Sequence, residues 1–194
     1  MELIIARHGE TEENKAGILQ GHTPGRLSDL GKEQAQKLAL RLKDEKIDYI
    51  YSSDLARAAD TAKAIAEYHP NTPIEFVQEM RERDLGKLSG KKKSDLGFNY
   101  HDMIADSLNN PDIESKEQLH DRAERFVKKV IAKHPNETVL LVGHNGINKN
   151  LISAITGEDV KDIPAQLNTS VNIFEISAEG GCTTHISNCV KHLE

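Results

Sequence analysis

Tryptophan is absent from the 194-residue chain, and phenylalanine and tyrosine bring the aromatic share to only 4%. Leu, Ile, Val and Ala must therefore fill the core. Cysteine is also scarce. Cys182 and Cys189 are seven apart in a stretch that reads as one strand. Odd spacing there turns the two side chains to opposite faces and argues against a disulfide between them. No run approaches membrane-spanning length. The N-terminus opens into a strand-like segment without the basic region, apolar stretch and small-residue cleavage site of a secretion signal. Cytoplasmic residence with reduced thiols is the expectation. Positive charge is in short supply as well, since 25 Lys and Arg against 31 Asp and Glu leave a formal charge of -6. General nucleic-acid and anionic-membrane binders need a broad cationic face, so both classes are set aside. Any anionic substrate must be held by local cations. The only short basic run, Lys91-Lys92-Lys93, reads as a solvated loop or as a phosphate-steering patch.

What the chain does have is an alternation of strand and helix signals. No repeat, low-complexity tract or linker interrupts it, so residues 1–194 read as one domain. Leu3 to Ala6 is a continuous apolar run of the kind that forms a strand buried on both faces, halted by Arg7-His8-Gly9. Ser28 then caps a helix with Ala35, Leu38, Ala39 and Leu42 along its stripe. Ile47 to Tyr51 predicts a second strand, and Asp54 a cap for the helix carrying Leu55, Ala58, Ala59, Ala62, Ile65 and Ala66. Ile74 to Val77 predicts a third strand that leads into the charged Glu79-Met80-Arg81-Glu82-Arg83-Asp84 segment. Residues 89–112 read as a helical excursion over the site. Ser115 and Gln118 form a capping box for a helix burying Leu119, Ala123, Phe126, Val127, Val130 and Ile131. Thr138 to Val142 predicts a strand that breaks at Gly143-His144-Asn145-Gly146, before a helix ending near Gly157. Val171 to Ile176 and Thr183 to Val190 predict a hairpin turned at Glu179-Gly180-Gly181. The alternation implies an α/β three-layer sandwich, with a mostly parallel central sheet, helices on both faces and a site at the strand C-termini.

Four clusters carry candidate chemistry. In Arg7-His8-Gly9-Glu10-Thr11, followed by Asn14, a histidine sits at a strand end and a glycine lets the chain approach a ligand closely. By itself such a histidine reads equally as structural. In Ser52-Ser53-Asp54-Leu55-Ala56-Arg57-Ala58, Arg57 falls in the first turn of a helix, where the dipole opposes a cation unless an anion lies between. An exposed arginine reaching into water explains it too. Glu82 lies in a charge-dense loop of the sort that is usually only solvated. His144 breaks a buried strand, where a core histidine is costly to satisfy.

Taken together and in this order, the four clusters resemble the histidine phosphatase superfamily, the phosphoglycerate mutase-like proteins, over essentially the whole chain. The residues behind the resemblance are Arg-His-Gly-Glu-Thr with Asn14, the Ser-Ser-Asp-Leu-x-Arg-Ala-x-x-Thr-Ala helix start through Thr61 and Ala62, Arg81-Glu82 before Gly86, and Gly-His-Asn-Gly after a late strand. The resemblance implies a phosphoglycerate mutase-like fold and makes His8 the nucleophile that becomes phosphohistidine. It makes Arg7, Arg57 and His144 the clamp on the phosphoryl oxygens, gives Asn14 a further hydrogen bond, and makes Glu82 the proton donor to the leaving oxygen. Gln20 and Gly21 match the loop bordering the substrate phosphate, while Arg81, Arg83 and Lys91 to Lys93 are candidates for a second phosphate or a carboxylate.

The function implied is a phosphomonoesterase acting on small phosphorylated metabolites, with no metal or other cofactor and a small phosphate ester as its partner. Whether it works as a monomer or a homodimer stays open. A mutase is the alternative within the family. Against it, the chain is shorter than family mutases, has no Trp after Thr11, and carries Asp84 and Leu85 where mutases have His and Tyr. From another class comes a non-catalytic module that binds a phosphorylated ligand, which the joint presence of Arg7, His8, Arg57, Glu82 and His144 speaks against. A metal hydrolase is motivated by nine histidines, yet no His-x-His or His-Glu-x-x-His spacing occurs.

Overall fold

The apolar run at the start of the chain forms β1 (Glu2–Arg7), and its period of two decides which layer each side chain joins. Leu3 and Ile5 enter one hydrophobic cluster, Ile4 and Ala6 the other, and all four are fully buried. The computed structural model describes residues 1–97 and 111–194. Within them, β1 lies in a six-stranded sheet with β2 (Tyr49–Ser53), β3 (Ile74–Val77), β4 (Thr138–Gly143), β5 (Val171–Ile176) and β6 (Cys182–Cys189), in the order β3-β2-β4-β1-β5-β6. The four neighbours β3, β2, β4 and β1 are mutually parallel, whereas β5 runs antiparallel to both β1 and β6. This is the mostly parallel α/β sheet expected from the alternation.

Helices cover both faces. Apolar side chains of α2 (Asp29–Leu42) and α3 (Ala56–Ala66) pack with Ile4, Ile50, Leu140 and Val142 on one side. On the other, α4 (Lys116–Lys133) and α5 (Asn145–Thr156) pack Phe126, Val127, Ile147 and Leu151 against Leu3, Ile5, Leu141 and Phe174. Ser28 caps α2 and Ser115 with Gln118 caps α4, as their sequences predict. Among the described residues, no helix is long and apolar enough to cross a membrane. Cys182 and Cys189 lie at opposite ends of β6 as free thiols.

Two expectations need correction, and a third lies largely outside the described residues. Asp54 does not cap α3: Leu55 holds the cap position without a side-chain bond, and Asp54 instead accepts from Arg81 Nε at 2.7 Å and Nη2 at 2.5 Å. A two-point, charge-assisted contact outcompetes a single amide bond. The polar stretch after Gly9 contains an unforeseen helix, α1 (Glu12–Lys15), closed by a reciprocal Thr11–Asn14 capping box. Of the excursion at 89–112, Lys93–Leu96 forms a 3-10 turn, and positions 98–110 lie outside the described residues.

Candidate active site

Parallel strands end at a common sheet edge, and four of them deliver chemistry there. The β1–β4 register sets Arg7 opposite Gly143, so the next residues, His8 and His144, leave the sheet side by side. Their rings lie 5.0 Å apart between centroids. Arg57 enters from the first turn of α3 after β2, and Glu82 from the irregular segment that follows β3. The turn after His8 is pressed against α2 so closely that a Cβ on Gly31 would stand 1.9 Å from the Glu10 carbonyl oxygen. Glycine at 31 is therefore required for β1 and α2 to meet.

Hydrogen bonds settle the tautomer of each histidine. His8 Nδ1 lies 2.6 Å from the Gly9 carbonyl oxygen, which can only accept, so Nδ1 carries the proton and Nε2 keeps its lone pair. Arg57 Nε donates to His144 Nδ1 at 3.1 Å, so His144 carries its proton on Nε2. That Nε2 is buried without a partner, and so is Arg7 Nε, while Arg7 Nη1 donates to the Gln166 carbonyl at 2.5 Å. Burial, then Arg7, then Arg57 hold His8 well below the usual histidine range, against a smaller opposing effect of the Gly9 carbonyl. Burial, then Arg57, His8, Arg7 and His22 do the same to His144. Both imidazoles are neutral at neutral pH.

Arg57 is 1% exposed, and burial draws it down to about 10, so it stays cationic at neutral pH. Beyond His144 it donates to the carbonyls of Thr23 (2.5 Å), Pro24 (3.2 Å) and Gly21 (2.9 Å). Four of its five N–H groups are thereby engaged, leaving one on Nη2. Glu82 reaches the N-terminus of α5, where its carboxylate accepts from Gly146 N at 2.9 Å and Ile147 N at 3.2 Å, as well as from Arg83 N at 2.9 Å. His144, at the cap position of α5, makes no capping bond, so Glu82 satisfies amides that the helix leaves open.

These groups border a cleft of about 290 Å³. It is lined by Arg7, His8, Arg57 and Glu82, together with Asn14, Gln20, Gly21, Arg83 and Lys93. His144 does not line it but adjoins both His8 and Arg57. Asn14 spends its Oδ1 on Thr11 N, which leaves its amide N–H groups as the end it can offer. Gln20 Oε1 and Arg83 Nη2 are buried without partners. Arg81 is tied to Asp54, and of the basic run Lys93 alone lines this cleft. Of the residues expected to hold a second anion, Arg83 and Lys93 are the ones that line this cleft. Sequence reading missed three supports. Thr61 Oγ1 accepts from Gly9 N (3.2 Å) and donates to the Arg57 carbonyl (2.8 Å), Asn168 Nδ2 donates to the His8 carbonyl (3.0 Å), and Gln166 anchors Arg7. For Thr61 the helix-start motif was a signal; Gln166 and Asn168 lie in a loop with no pattern to mark them.

Over residues 3–188 the chain matches the histidine phosphatase superfamily (branch 1). It belongs to that superfamily. This histidine phosphatase is 33% identical to phosphoglycerate mutase-like protein 4 of Arabidopsis thaliana, the match covering 100% of the chain and 87% of the relative. It is 34% identical to the metal-independent phosphoserine phosphatase of Arabidopsis thaliana, over 90% of the chain and 76% of that protein. Its fold superposes on Bacillus stearothermophilus YhfR with a TM-score of 0.89 at 29% identity, covering 100% and 99% of the two chains. The expected enzyme class, a phosphoric monoester hydrolase of small phosphorylated metabolites, agrees with this membership. Among the described residues, no group of three or more His, Cys, Asp or Glu side chains is placed to hold a metal ion.

Proposed function

We propose that this histidine phosphatase hydrolyses phosphate monoesters of small metabolites in two half-reactions, with His8 as nucleophile. One observation carries the reading. His8 Nε2 keeps its lone pair beside a cleft lined by Arg7, which spends a single N–H within the protein, and by Arg57, which keeps one on Nη2, while the His144 ring 5.0 Å from His8 holds a buried Nε2 without a partner. Fixed donors around an electron-rich nitrogen suit phosphoryl transfer, in which charge spreads over the equatorial oxygens.

His8 Nε2 attacks phosphorus, a P–N bond forms as the ester P–O bond breaks, and the leaving oxygen takes a proton from Glu82. Glu82 is the one carboxyl group among the described residues lining the cleft. Water then attacks phosphorus, a new P–O bond forms as the P–N bond to His8 breaks, and the water's proton passes to Glu82, restoring its acid form. Inorganic phosphate departs and His8 returns to its neutral form. Asn14, Gln20 and Gly21 border the phosphoryl group. Arg83 and Lys93 suit an anionic group on the alcohol portion, such as the carboxylate of a phosphoserine-like ester. All these groups come from one chain of one domain, so the scheme operates in a monomer or a homodimer alike. We place the enzyme in the cytoplasm, where Cys182 and Cys189 would stay reduced.

The test is a panel of phosphorylated metabolites assayed for both inorganic phosphate and positional isomers, with acid-labile phosphate labelling and His8→Ala as control. Phosphate release with labelling that vanishes in His8→Ala is expected. Isomerised product in place of phosphate would turn the assignment to a mutase, and full labelling of His8→Ala would remove the nucleophile.

A further inference from the structure

Glu82 sits in a segment, Arg81 to Leu85, that has no helical or strand backbone, so no ladder of backbone bonds fixes where its carboxyl stands. The carboxylate itself rests on amides of α5 and on Arg83 N, and the main chain that carries it is fastened from α4. Arg122 turns all five of its N–H groups onto this region: Nη1 donates to the carbonyls of Glu79 (2.7 Å) and Arg81 (2.9 Å), and Nη2 to that of Glu82 (3.4 Å). Its Nε and Nη2 also grip both carboxylate oxygens of Glu114, at 2.9 and 2.8 Å. Glu114 closes the other side. Its Oε2 accepts from Asp84 N (3.1 Å), its carbonyl accepts from Arg83 Nε (2.6 Å), and its N–H donates to the Asp84 carbonyl (3.0 Å). The pair is largely sheltered from water, at 17% and 13% side-chain exposure. Apart from it, His22 Nε2 donates to the Glu82 carbonyl at 2.8 Å.

We propose that the Arg122–Glu114 pair is a positioning device for the proton donor, holding the 79–84 segment so that the Glu82 carboxyl meets the leaving oxygen. The proposal rests on the reading of Glu82 as that donor. Neither Arg122 nor Glu114 lines the cleft, so their effect on turnover runs through Glu82. A general acid must stand within hydrogen-bond reach of its target, and a misplacement of about 1 Å can lower a rate ~100-fold. Lysine at 122 would keep the charge, but its single ammonium cannot span two carboxylate oxygens and three carbonyls at once.

Proton donation matters most when the leaving group is a poor one, and this gives a readout that a merely structural residue would not move. The experiment measures kcat/KM on substituted phenyl phosphates, from p-nitrophenyl phosphate to phenyl phosphate, for the wild type, Glu82→Gln, Arg122→Lys and the double variant. Glu82→Gln should lose far more on phenyl phosphate than on p-nitrophenyl phosphate. Arg122→Lys should tilt the same way, with a loss of roughly 10-fold or more on phenyl phosphate and under about threefold on p-nitrophenyl phosphate. The double variant should be no more than about twofold slower than Glu82→Gln, because the two residues act through one group. Should Arg122→Lys not fold, Glu114→Gln must reproduce the tilt. A uniform loss in Arg122→Lys beside a tilted Glu82→Gln overturns the positioning role and leaves the acid in place. A Glu82→Gln profile without tilt removes the acid, and the positioning role with it.

Discussion

Lowering the pH from about 7.5 to about 5.5 should destabilise this fold through His8 and His144. In the unfolded chain both imidazoles titrate near ~6.5. In the fold, burial and the neighbouring guanidinium groups hold them neutral to well below that. Under about pH 6.5 the unfolded state thus binds more protons than the native state, so stability falls as pH falls and is fully present only above the unfolded value. Across this window a histidine that stays neutral in the fold costs up to ~1.4 kcal/mol, and the two together up to ~2.7 kcal/mol. Against a net stability of about 5–15 kcal/mol that is a large loss. Urea unfolding at several pH values measures it, in buffers free of phosphate and sulfate, because an anion bound to the native site would mask the slope. The reference is His8→Gln/His144→Gln, in which the carboxylates titrate as before, so the difference in slope belongs to the two histidines. Parallel loss in the wild type and the reference would refute the argument.

Arg57→Ala strands the carbonyls of Gly21, Thr23 and Pro24 and removes the donor that sets the His144 tautomer. Turnover should fall about 100- to 1,000-fold; a loss under threefold would count against it. Because Arg57 also helps depress His8, the acid limb of kcat/KM should move up in pH in this variant, read by a pH–rate profile. Gly31→Ala pits a helix-propensity gain of about 1 kcal/mol against a Cβ placed 1.9 Å from the Glu10 carbonyl oxygen. Backbone cannot yield there without moving His8, so melting should drop by about 4–8 °C, equivalent to ~2 kcal/mol net, with activity reduced at least about tenfold. An unchanged melting temperature would mean that the contact relaxes freely. Exhaustive chelation should leave turnover intact, since every step of the scheme uses side chains of the chain itself; activity restored only by an added divalent ion would contradict it.

The sheet and the strand-end histidines were legible because buried parallel strands leave an unmistakable trace: Leu3 to Ala6 and Val139 to Val142 are apolar throughout and stop where polar chemistry begins. What could not be read is how each polar residue spends its hydrogens, because that depends on partners far along the chain. Asp54 looks like a helix cap until Arg81, 27 residues on, claims its carboxylate. Glu82 finds its amide partners on α5, 64 and 65 residues away. Arg57 is the instructive case. Its place in the first turn of α3 suggests an anion between it and the helix dipole, yet the negative ends of three carbonyl dipoles and the lone pair of His144 already supply that counterpart. The misfit in the sequence is resolved inside the protein, so it is no evidence of a ligand. The evidence lies in the buried donors left over, on Arg7 Nε and His144 Nε2. A fold does not bury unpaired N–H groups without cost, and under the proposed function a tetrahedral anion held by Arg7, Arg57 and His144 would recover it.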